Sequence, residues 1–177
     1  MTPEAISQIV AVLAGGLIAI AGGFLTTILL ENRRQAREAR NLALAFKGEI
    51  GALLDHIRER GYARRIEEIT AQIEASGEPF YMPMRIRFQY DRVYDANVER
   101  VGMLAGSLPE LIPFFYTRFS SILEDMVNLG EGAYATLDVP TLLRVYRDAQ
   151  RIMMATIELG ERIDEEIERA YRVGATR

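Results

Sequence analysis

Residues 9–30 read IVAVLAGGLIAIAGGFLTTILL, 22 positions without a charged side chain. As an α-helix this stretch is about 33 Å long, enough to cross a hydrocarbon core of about 30 Å. Twelve of its residues are Leu, Ile, Val or Phe, and near a bilayer centre they would contribute about −4 to −7 kcal/mol to insertion. The only polar side chains, Thr26 and Thr27, can donate their hydroxyls back to helix carbonyls. The stretch therefore predicts a single transmembrane helix. A cleaved signal peptide is the rival, because Ala19-Ile20-Ala21 has a small-x-small look. It needs a basic start and a short core, whereas Met1–Gln8 holds Glu4 and no Lys or Arg, and the apolar run continues past Ala21.

The flanks set the expected orientation. Arg33, Arg34, Arg37 and Arg40 follow the run, and no Lys or Arg precedes it. The positive-inside rule then places residues 1–8 outside, 9–30 across an inner membrane and 31–177 in the cytoplasm. The four arginines would form a basic collar at the membrane surface, with anionic lipid as one partner. Small residues recur every fourth position at Ala11, Gly15, Ala19, Gly23 and Thr27. On a helix they share one stripe, the kind of face along which membrane helices approach closely. A homo-oligomer, or another membrane protein, is the expected partner.

Composition narrows the rest. The chain has 177 residues, one histidine, no cysteine and a formal net charge of −4. Disulfides, thiol nucleophiles and cysteine metal sites are absent, and nucleic acid is not an expected partner.

From Glu31 to Ser76 apolar residues recur at helical steps: Leu42, Phe46, Leu53, Leu54, Ile57, Ile66, Ile69 and Ile73. Gly61 is the expected break, and Gly77-Glu78-Pro79 the end. Residues 80–90, FYMPMRIRFQY, then alternate with a period of two. With no second strand of similar quality, an extended strap across the helices is expected, with a pairing edge or an early helix start as alternatives. Asp91 is the expected cap of a short helix carrying Tyr94, Val98, Val101 and Leu104. Ser107-Leu108-Pro109-Glu110 reads as the start of the next helix, and Asp138-Val139-Pro140-Thr141 as the start of a last one reaching about Tyr171. The expected fold is all-α: a transmembrane helix, then an elongated cytoplasmic bundle of about four helices with one strap.

Chemistry is sparse. His56, with Glu59 three residues on, would have to serve alone in any metal set with Glu49, Glu124, Asp125, Glu158 or Glu161. The run Asp164-Glu165-Glu166-Glu168 lacks the spacing and glycine of a calcium loop and reads as a solvated face, or as a partner for basic residues on another helix. Phe114, Phe115, Tyr116 and Phe119 read as core. No catalytic, metal or cofactor residue is assigned. The expected function is non-enzymatic: a membrane-anchored helical scaffold or accessory subunit that self-associates or joins a membrane complex. An oligomeric pore-forming or membrane-disrupting effector is the alternative. A small-molecule sensor would need a polar pocket, of which the sequence shows almost nothing.

Overall fold

The computed structural model describes residues 3–81, 91–131 and 133–171; side chains before Gly22, apart from position 16, and that of Glu131 lie outside the description. The elements are α1 (Pro3–Arg60), α2 (Tyr62–Ser76), α3 (Arg92–Asn97), a 3-10 helix (Val98–Met103), α4 (Leu108–Glu131) and α5 (Val139–Tyr171). The chain forms two compact units, residues 1–41 and 42–177.

In the first unit the sequence expectation is corrected. Among the described residues no helix is long and apolar enough to cross a membrane. The apolar stretch with described side chains runs from Gly22 to Leu30. From Glu31 onward charges crowd the helix. The finding overturns the transmembrane reading of 9–30. With it go the single-pass inner-membrane location, the outward N-terminus, the membrane-anchored scaffold and its pore-forming alternative. Two smaller expectations hold here: Thr26 and Thr27 donate their hydroxyls to the Gly22 and Gly23 carbonyls at 2.8 and 2.9 Å.

The second unit is a bundle of four helices: α1 from Leu42, α2, α4 and α5. Its core is continuous, with Phe46, Ile50, Ile66, Ile73, Ile112, Phe115, Leu142, Tyr146 and Ile163 almost wholly buried. Helix α5 has 33 residues, about 50 Å of length. The end of α1 meets its C-terminal half through Lys47–Asp164 and Arg58–Glu161, and α2 meets its N-terminal half through Glu74–Arg147. Between these contacts α1 gives way to α2. The break falls at Gly61, whose φ of 61° is left-handed, a conformation glycine adopts without steric cost. Gly77 ends α2 in the same way at φ 67°, its N–H donating to the Ile73 carbonyl at 2.9 Å.

Asp138 caps α5 as its sequence predicts: the Thr141 N–H donates to Asp138 Oδ1 at 3.0 Å. This contact holds the Asp138 carboxyl below its usual range. At α4 the Ser107 carbonyl accepts the Glu110 and Leu111 N–H groups, each at 3.1 Å, and Pro113 is carried inside the helix. The expected strap falls mostly on residues 82–90, outside the described residues. Its first two residues do lie on the bundle: Tyr146 donates to the Phe80 carbonyl at 3.1 Å, and Tyr81 to the Ala135 carbonyl at 3.3 Å.

Candidate functional site

The outer seam between α1 and α5 opens into a groove of about 400 Å³. At its base lie Ile50, Leu54 and Ile163, whose side chains are almost wholly buried, with Gly51 and Gly160. Its walls are charged: Lys47, Asp55 and Arg58 stand on α1, and Glu161, Asp164 and Glu165 on α5. The two glycines have different causes. A Cβ on Gly160 would lie 2.9 Å from Leu54 Cδ1 and 3.0 Å from Phe115 Cε2, so those side chains would have to shift to admit one, and close packing inside the bundle favours glycine there. A Cβ on Gly51 would meet nothing within 4 Å. Glycine inside a helix costs up to about 1 kcal/mol relative to alanine. Among the described residues no contact calls for it at Gly51, and its effect is to keep the groove open.

Ion pairs bracket the groove. At one end Lys47 Nζ donates to Asp164 at 2.9 Å and to Glu168 at 2.7 Å. At the other, Arg58 pairs with Glu161 and, more loosely, with Asp55 at 3.5 Å. Hydrogen bonds from Lys47 to Glu168 and Asp164 hold its ammonium above the usual 10.5. The C-terminal acidic run thus meets a basic residue on another helix, one of the two readings open from sequence.

A second polar cluster lies on the other side of α1. Glu49 accepts the N–H groups of Val93 and Tyr94 at 2.7 and 3.2 Å, and the hydroxyl of Tyr116. It caps α3 from a different helix, while Asp91, the expected cap, makes no side-chain cap bond. Tyr94 stacks on Tyr116 with ring centroids 4.4 Å apart. Burial, then the Glu49 carboxylate, pushes the Tyr116 phenol well above its usual pKa. Glu49 thus ties α1 to α3 and α4.

His56 packs edge-on to Tyr62 and lines a small cavity of about 30 Å³ among Ile57, Phe119, Ile122, Leu123, Met126 and Met153. Among the described residues no three His, Asp or Glu gather as a metal set would require. Of the aromatic group, Phe115, Tyr116 and Phe119 are buried, whereas Phe114 is half exposed with the Arg118 guanidinium 4.4 Å above its ring.

Of the residues singled out from sequence, Glu161, Asp164 and Glu165 line this groove. The side chains of Ala11, Gly15 and Ala19 lie outside the described residues. Gly23 and Thr27 are exposed, and nothing lies within 4 Å of a Cβ added at Gly23. Arg33, Arg34, Arg37 and Arg40 are exposed on α1, with Arg34 paired to Glu38 at 2.9 Å. Lys47, Gly51, Arg58 and Gly160 were not assigned a role from sequence. A helical glycine is a weak signal alone, and the partners of Lys47 lie more than 110 residues away.

Comparison with protein-family models, curated proteins and solved structures yields no match. The expected bilayer, anionic-lipid, membrane-protein and homo-oligomer partners are withdrawn: they rested on the transmembrane reading, and no relative supplies another basis.

Proposed function

We propose that the chain is a non-enzymatic binding module that works through the groove between α1 and α5. The groove itself carries this reading: about 400 Å³ of space with convergent charges, within the roughly 300–1,000 Å³ typical of small-ligand sites. Its polar lining favours recognition over catalysis. A catalytic lysine base needs a depressed pKa, and Lys47 is shifted the other way by its two carboxylates. An arginine keeps its proton at any working pH.

The test is amide chemical-shift mapping of the full chain against a library of small fragments. Bound fragments are expected to move the resonances of Gly51, Leu54, Gly160 and Asp164. Fragments that bind elsewhere and leave those four unmoved would remove the groove as the working surface.

A further inference from the structure

We infer that the α1–α5 groove selects organic cations: a primary amine or guanidinium carried on a compact apolar body. The inference rests on the groove being the working surface and names its ligand class. Four carboxylates line the groove against two cations, a formal excess of two negative charges. Both cations are already engaged, Lys47 by Asp164 and Glu168, Arg58 by Asp55 and Glu161. An arriving anion would have to displace one of those carboxylates and then face the rest. An arriving ammonium is drawn by the excess, to Glu165 on the α5 wall and to Asp55 on the α1 wall, whose 3.5 Å contact with Arg58 is the loosest of the groove's ion pairs. The open space at Gly51, where an added Cβ would meet nothing within 4 Å, leaves room for a compact body. Charge supplies the selectivity. Asp55 and Glu165 are exposed, so neither is needed to hold the core.

Three probes of similar size on one carbon skeleton separate the charge states: phenethylamine, phenylacetate and 2-phenylethanol. Each is titrated into the full chain while the Gly51, Leu54 and Gly160 amides are followed. Phenethylamine is expected to move these resonances with a dissociation constant in the millimolar range, at least about tenfold tighter than either counterpart. The double variant Asp55→Asn/Glu165→Gln is expected to weaken it by about tenfold or more while leaving the circular-dichroism spectrum unchanged. Phenylacetate or 2-phenylethanol binding in the groove as tightly as the amine would overturn the cation assignment and leave the groove in use. Phenethylamine failing to move these amides at about 10 mM would overturn it as well. Only if the fragment library also leaves the groove empty does the binding-module reading fall with it.

Discussion

Replacing Glu49 by alanine isolates the contact that joins α1 to α3 and α4. Three donors lose one acceptor: the Val93 and Tyr94 N–H groups and the Tyr116 hydroxyl. Loss of a helix N-cap costs about 0.5–2 kcal/mol. A buried donor left without its acceptor costs about 1–3 kcal/mol. Glu49 itself is half-buried, so water reaches part of the site. The expected total is therefore below the simple sum, at about 2–3 kcal/mol. With a urea slope of about 1–3 kcal/mol per molar, the unfolding midpoint should fall by roughly 1 M. Hydrogen exchange gives the sharper readout, because α3 has only six residues and no side-chain cap of its own. Val93 and Tyr94 amides should exchange faster in Glu49→Ala, while the Ile69 amide in α2 changes only with global stability. Tyr116→Phe should cost less by itself and be non-additive with Glu49→Ala, since the two share a bond. A midpoint within error of the parent, with unchanged exchange at Val93 and Tyr94, would refute Glu49 as the cap of α3.

The two groove glycines should respond to alanine with opposite signs. Gly51→Ala meets nothing within 4 Å and should stabilise by up to about 1 kcal/mol. Gly160→Ala drives a methyl to 2.9 Å from Leu54 and should destabilise in thermal unfolding, overpacking costing about 1–3 kcal/mol before the propensity gain is returned. Equal shifts at both sites would contradict the packing described. Asp138→Ala should lower the melting temperature at pH 7 and Asp138→Asn much less, because asparagine keeps an acceptor for the Thr141 N–H. Since the folded carboxyl is depressed, its contribution is full above the unfolded value near 3.8 and fades as pH falls through the lower folded value. An acid transition unaltered by Asp138→Asn would count against it. The Lys47 ammonium is shifted in the opposite sense, so its contribution is full below 10.5 and is lost only as pH rises through the raised folded value. Lys47→Met should flatten the alkaline limb of a stability–pH curve and change neutral stability little, since the bridge is partly exposed.

The helical part of the fold was legible because its signals are local. Gly61 and Gly77 sit where the backbone turns left-handed, and Asp138 offers an acceptor three residues before a free N–H. The apolar steps from Leu42 to Ile73 give the buried face of α1 and α2 directly. What failed or was missed depends on more than local pattern. The apolar run 9–30 was read from hydropathy and length, and it is not upheld among the described residues. Asp91 had the chemistry of a cap, yet Glu49, more than 40 residues earlier, takes that role because packing brings α1 against the start of α3. The groove joins residues more than 100 positions apart, such as Arg58 and Glu161. No spacing rule in the sequence reports that juxtaposition. The polar pocket that seemed lacking arises only when α5 folds back along α1.

The most direct test of the groove compares two glycines on the same helix. Gly48 and Gly51 are both open to an added Cβ, but only Gly51 lines the groove. Leucine at either position changes helix propensity equally, and only Gly51→Leu fills the site. The measurement is the affinity of phenethylamine for the parent, Gly48→Leu and Gly51→Leu chains. Binding kept by Gly48→Leu and lost by at least about tenfold in Gly51→Leu is the predicted result. Equal affinity in all three chains would contradict the groove as the place where this protein binds.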